Sequence, residues 1–192
     1  MPSKNHGTSM FIGIVHNEND TERHFRLLKE LAEQGIEKYE IFPAIHDISS
    51  VKRGINLAHK SVVEYAMVAG FDEVCVMEDD IRATSYGSWD YFLANKPEDF
   101  DLYLSGIYIG HIFPDNTVHS FSGFHCYIVK KKFYETFLSM PDDAHIDRVL
   151  EGQGKYVVCN PFAFIQYNGK SSNTGKYEVY DRLLDGRELY TK

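Results

Sequence analysis

The segment GINLAHKSVVEYAMVAGFDEVCVMEDDI, residues 54–81, passes from an apolar helical face through a glycine into a strand and ends in three consecutive acids. Ile55, Ala58, Val62, Tyr65 and Ala66 recur at helical spacing, so a helix is expected from Val51 to Ala69, with Gly70 as its stop. EVCVM then reads as a buried strand that runs straight into Glu78, Asp79 and Asp80. Three adjacent carboxylates repel one another, and a site that keeps all of them ionised needs a cation nearby. The alternative is a solvated loop after a strand.

Upstream, SMFIGIV (9–15) reads as a strand, and Asp20 is placed to cap a helix carrying Phe25, Leu28, Leu31 and Ala32, which stops at Gly35. YEIFPAI (39–45) is a second strand. The first 80 residues therefore alternate strand, helix, strand, helix, strand, which predicts an α/β fold with a mainly parallel sheet flanked by helices. In such sheets ligands gather at the carboxyl ends of the strands, where the acids lie. If the strand direction persists, Glu78 and Asp80 project to one side and Asp79 to the other.

Downstream, SYGSWDYFLANKP predicts a helix and DLYLSGIYIG a strand. HIFPDNTVHSFSGFHCYIVK predicts an antiparallel excursion turning at Pro114, Asp115 and Asn116. KKKFYETFLSM and DAHIDRVLEG predict helices, YVVCN a short strand, FAFIQYNGKSSNTG an extended segment entering a polar loop, and KYEVYDRLLDGRELY a final helix packed on the body. No repeat or linker divides the chain, so residues 1–192 are expected to form one domain, with residues 1–8 as a flexible lead-in.

A chain of 192 residues, 43% hydrophobic, can build its own core. Its net charge of −8 argues against a nucleic-acid backbone as the main partner, leaving Lys130, Lys131 and Lys132 as the one local basic run, read as a solvated helix start. Cys75, Cys126 and Cys159 lack the paired spacing of a zinc site and are read as buried thiols. The polar N-terminus, without an apolar core or a membrane span, points to a soluble cytoplasmic protein. The aromatic content, 14%, suits both core packing and sugar stacking.

A hard divalent cation, Mg²⁺ or Mn²⁺, is held by one or two carboxylates plus the phosphates of a nucleotide, the ligand type that this strand end supplies. Several segments, in order, resemble the GT-A fold glycosyltransferases, and family 25 in particular, the lipooligosaccharide galactosyltransferase type. They are TERHFRLLKELAEQGIEKYEIFPAIHD, the segment 54–81, FSGFHCYIVKKKFYETFL and PFAFIQ. Ala58-His59 stands where that family has Ser-His, and the chain is short for the family, which leaves the acceptor open.

The resemblance implies a GT-A-like, Rossmann-like mixed sheet and transfer of a hexose, with inversion, from a UDP-linked sugar to a glycan hydroxyl, as in lipopolysaccharide biosynthesis. It makes Asp80 the principal metal ligand, with Glu78 or Asp79 assisting at the metal or the ribose, and Gln166 as a late ligand. Arg23 would steady the donor, Lys170 and the neighbouring serines would close over the diphosphate, and Asp147 would be the base, with Asp143 and His145 as substitutes. Asp142 and Asp143 are read instead as helix caps, Arg23 alternatively as an exposed charge, and His125 as a buried or rim histidine. Nucleotidyltransferases share an acidic strand end but need an early glycine-rich loop, and HNENDTER has no glycine. A phosphatase or nuclease using the acids for two metals is a further alternative, although it usually needs more His and Asp ligands than this chain visibly clusters. A catalytically silent binder of nucleotide sugars or glycans, and a sugar transferase acting on modified DNA, are the remaining alternatives.

Overall fold

The computed structural model describes residues 9–171 and 174–192; the expectation for residues 1–8 lies outside them. β1 (Met10–His16), α1 (Thr21–Glu33), β2 (Glu40–Pro43), α2 (Val51–Ala69) and β3 (Glu73–Glu78) follow the expected alternation. Asp20 caps α1 by accepting the Arg23 N–H at 3.0 Å, and Gly35 leaves the helix at φ 68°. Ser50 accepts the Arg53 N–H at the start of α2, and Gly70 ends that helix at φ 81°, a conformation in which a Cβ would be strained.

β3 is apolar without alternation because both of its faces are covered. Val74 and Val76 pack with Val62 and Ala66 of α2, whereas Cys75 and Met77 pack with Leu27 and Leu31 of α1. Gly13 lets α2 approach the sheet: a Cβ there would lie 2.3 Å from the Val62 side chain.

Beyond β3 come β4 (Ile81–Ala83), α3 (Ser88–Ala94), β5 (Leu102–Leu104), β6 (Ile109–Gly110), β7 (Thr117–Val118), β8 (Phe121–Ser122) and β9 (Cys126–Lys130). A 3₁₀ turn at Lys131–Phe133 leads into α4 (Tyr134–Ser139), then α5 (Ile146–Val149), β10 (Tyr156–Val158), β11 (Phe164–Gln166), β12 (Gly169–Lys170), β13 (Tyr177–Glu178) and a second 3₁₀ turn, Tyr180–Leu184. The main sheet has seven strands in the order β2-β1-β3-β9-β5-β10-β7. β1 is parallel to β2 and β3, and β5 to β10, while β9 and β7 run against their neighbours. The fold is a mixed α/β sheet, mainly parallel and flanked by helices. In register, His16 pairs with Pro43 and Val15 with Glu78, so the first three strands finish in one row.

Four expectations are corrected. DLYLSGIYIG is not one strand: β5 stops at Leu104, and Gly106 crosses so close to β11 that a Cβ would lie 2.7 Å from the Phe164 carbonyl oxygen. KYEVYDRLLDGRELY forms no α-helix. Its end is captured as extended chain, with Phe162 N–H donating to Glu188 O and Tyr190 N–H to Phe162 O. Neither Asp142 nor Asp143 caps α5; His145 occupies that position without a side-chain cap, and Asp142 pairs with Lys60 at 2.5 Å. Lys132 is not simply solvated but pairs with Asp99 and Asp101 at 3.0 Å each, and Lys130 donates to the Glu98 carbonyl.

The three cysteines are free and buried. Among the described residues no helix is long and apolar enough to cross a membrane.

Candidate active site

The carboxyl ends of β1, β2 and β3 open into a cleft of about 770 Å³, within the range of ligand pockets. Glu78, Asp79, Asp80, Arg23, Gln166, Lys170 and Asp147 all line it, so residues separated by more than 140 positions meet in one cavity.

The three acids divide between two sets of partners, although β3 ends at Glu78 and Asp79 and Asp80 lie in the turn that follows it. Asp79 points toward β1 and α1: its Oδ2 meets His16 Nδ1 at 2.8 Å and accepts the Asn17 N–H at 3.1 Å, while its Oδ1 accepts Arg23 Nη1 at 2.7 Å. Glu78 and Asp80 point the other way and share one donor, Gln166 Nε2, at 3.0 and 3.1 Å. Antiparallel pairing of β11 with β4, with Gln166 opposite Ile81, brings that amide to the acids. The Gln166 N–H is itself held by the Tyr108 hydroxyl at 2.7 Å.

Charge is unevenly balanced across this strand end. Arg23 is buried, which opposes its charge, but Asp80 and Asp79 more than offset that and hold its pKa above the ordinary value. Its Nη1 also lies 3.3 Å from Asp80, and its Nη2 donates to the Lys170 carbonyl at 2.6 Å. Even so, burial and then the neighbouring Glu78 push the Asp80 carboxyl up to about 7, against the opposing pull of Arg23 and Gln166. The Asp79 side is saturated with donors; the Glu78–Asp80 side is short of positive charge.

Lys170 is exposed at the rim on β12. Of the serines read as closing over a diphosphate, Ser171 lines the cleft and Ser172 lies outside the described residues. Asp147 is half-buried on α5 and, among the described residues, takes no hydrogen bond or ion pair. His145 lines the same wall, while Asp143 does not line the cleft. His125 is a buried core residue whose Nε2 meets the Phe164 carbonyl at 3.0 Å, and burial lowers its pKa.

Sequence reasoning missed His16, Tyr108 and Tyr180. His16 ends a strand parallel to β3, so its position beside the acids follows from the register. Tyr180 stacks on Tyr108 with ring centroids 5.3 Å apart, and burial followed by the charge of Asp80 raises its phenol to about 12. Only the turn that replaces the expected last helix brings it there. His59 stood in a noted motif but without a role; its Nε2 lies 3.2 Å from Glu78.

A cation fits this chemistry. Two carboxylates converge on a single amide nitrogen, they are hard oxygen donors, and the charge deficit is local to them. Among the described residues no group of three or more His, Cys, Asp or Glu side chains is arranged to hold a metal ion, so remaining ligands would have to come from a bound phosphate group or water. Gln166 presents its nitrogen to the acids here, and ligation by this residue would require its amide oxygen to turn inward.

No family model and no curated protein sequence matches the chain. Solved structures do. A mutant of Drosophila β1,4-galactosyltransferase 7 in complex with manganese, UDP-Gal and xylobiose matches with a TM-score of 0.55 at 13% identity, over 95% of this chain and 82% of that one. A glycosyltransferase involved in glycosylation of the major capsid of PBCV-1 matches at 0.53 and 9%, over 91% and 98%. HddC from Yersinia pseudotuberculosis, complexed with GMP-PN, matches at 0.51 and 15%, over 93% and 99%. At these identities the likeness is one of fold, and the fold is that of GT-A type glycosyltransferases.

Proposed function

We propose that this protein is a metal-dependent glycosyltransferase that moves a hexose from a nucleoside diphosphate sugar, UDP-linked, to a hydroxyl of a glycan, in the manner of the family 25 enzymes that its sequence resembles. The observation that carries the reading is the pair Glu78 and Asp80, which accept from the same Gln166 amide nitrogen at the end of β3, with the Asp80 carboxyl raised to about 7 by burial and by Glu78. Asp80 and Glu78 would hold the metal, with Gln166 as a further ligand through its oxygen. When bound, a divalent cation supplies the charge that stabilises a departing diphosphate.

The chain's own groups supply the rest. Arg23, fixed by Asp79, places a positive charge at the same strand end and tethers the Lys170 backbone at the cleft, from where Lys170 would close over a bound diphosphate. Asp147 takes the proton from the acceptor hydroxyl as its oxygen bonds to the anomeric carbon and the bond to the diphosphate breaks, which inverts that carbon. Tyr180 and Tyr108 offer stacked rings in the cleft against which a sugar can lie. The DNA alternative rested on Lys130–Lys132, and Lys132 and Lys130 are engaged by Asp99, Asp101 and the Glu98 carbonyl.

The test is calorimetric titration of UDP with and without Mn²⁺, on the wild type and on Asp80→Ala. Binding that needs the metal and weakens at least roughly tenfold in the variant supports the donor site. Metal-independent or absent binding in a folded sample sinks it. Tight binding without transfer to any acceptor would favour the silent nucleotide-sugar binder.

A further inference from the structure

Behind Glu78, on the side away from Gln166, lies a buried pair that the proposed reaction does not use. His59 sits on α2, 1% exposed, beside the stacked rings of Phe124 and Tyr127, at centroid distances of 6.0 and 5.9 Å. Its Nδ1 is 2.8 Å from the Tyr127 hydroxyl and its Nε2 is 3.2 Å from Glu78 Oε1. Tyr127, on β9, is fully buried.

The chemistry of the partners orders these protons. An ionised carboxylate only accepts, so the proton facing Glu78 belongs to Nε2; in the neutral ring Nδ1 is then the acceptor for the Tyr127 O–H. Glu78 thus accepts a hydrogen bond from Gln166 at Oε2 and has the His59 Nε2 at 3.2 Å from Oε1, so a nitrogen flanks each oxygen of the carboxylate.

Building on the donor-site reading above, we propose that His59, oriented by Tyr127, is a positioning residue that fixes the Glu78 carboxylate for cation binding. It touches neither substrate nor reacting atoms. This is the arrangement of an outer-shell partner in a metal site, except that here the histidine stands behind a carboxylate. Asp80 has no such support from α2; Gln166 and Arg23 are its polar side-chain partners among the described residues.

The experiment compares two amides of similar polarity. In His59→Gln the side-chain nitrogen reaches about as far as Nε2 and can still donate to Glu78; in His59→Asn it reaches only about as far as Nδ1 and meets Tyr127 instead. Mn²⁺ alone is titrated and free ion is read by electron paramagnetic resonance, with thermal melts confirming that both variants fold. The expected result is wild-type-like affinity for His59→Gln and a loss of roughly 10–100-fold for His59→Asn. Equal affinity in both variants overturns the proposal.

A second readout separates this inference from the donor-site reading. Nitrogen NMR of the His59 ring in the metal-free protein should show the Nε2–H tautomer, turning to a mixture in Tyr127→Phe. If the wild type binds no Mn²⁺ but shows this locked tautomer, the donor-site reading fails and takes the role in cation binding with it, while the orientation of His59 toward Glu78 stands. An Nδ1–H tautomer in the wild type overturns the positioning whatever the metal result.

Discussion

The two sides of the β3 terminus differ more than their sequence suggests. Asp79 and Asp80 are neighbours and equally buried, yet Asp79 meets three donors from β1 and α1 while Asp80 shares one amide with Glu78 and has a longer contact to Arg23. The first side is a closed electrostatic unit that belongs to the fold. The second is less balanced: two carboxylates accept from one amide, and burial followed by Glu78 raises the Asp80 carboxyl. Consecutive acids can thus serve separate ends because β3 stops at Glu78 and the turn through Asp79 and Asp80 sends them to different neighbours.

The comparison breaks first, if it breaks, at Arg23. Arg23→Met leaves Asp79 buried with its principal cation gone and removes the nearer counter-charge of Asp80, so a loss of roughly 3–5 kcal/mol is expected in denaturant unfolding. A change within error would mean that Asp79 is as open as Asp80.

The opposite sign is expected across the strand. Asp80 has a folded pKa of about 7, above its ordinary value near 3.8, so below the ordinary value its protonation is the same in both states. As pH rises from there toward 7 the unfolded chain gives up the proton more readily, and metal-free stability falls. Asp80→Asn should remove that slope and make the metal-free protein more stable at pH 8 by on the order of 2 kcal/mol. Unfolding curves at pH 5 and pH 8 read it directly. A variant less stable than wild type at pH 8 would place Asp80 among the structural carboxylates.

His16→Phe is the finest probe. It keeps the ring volume next to His24, whose centroid lies 4.9 Å away, but deletes one of the three donors to Asp79. With Arg23 and the Asn17 N–H still in place, the expected loss is about 1 kcal/mol in the same unfolding assay. A loss as large as that of Arg23→Met would show that the histidine, not the arginine, neutralises Asp79.

Much of the first half was legible because its signals are local. The helix Val51–Ala69 and its Gly70 stop match the expectation residue for residue, since periodicity, cap and left-handed glycine all act within a few positions. The division of Glu78 and Asp80 from Asp79 was expected from a continuing strand, but β3 ends at Glu78 and the turn through Asp79 and Asp80 produces it. The second half was read less well: its strands are two to five residues long, and α5 has only four residues, too few for a period to show.

By itself, then, the sequence determined an α/β chain whose third strand ends in acids at the ligand-binding edge of a mainly parallel sheet, because helix period, strand pleat and turn glycines are properties of short segments. Only the tertiary structure decided which acid is neutralised and which is left short of charge. Arg23, His16, His59, Tyr127 and Gln166 come from five separate elements, and their meeting depends on strand register and on the path of the chain after β9. Electrostatic balance in a buried site is set by distances across the fold, which no local pattern encodes.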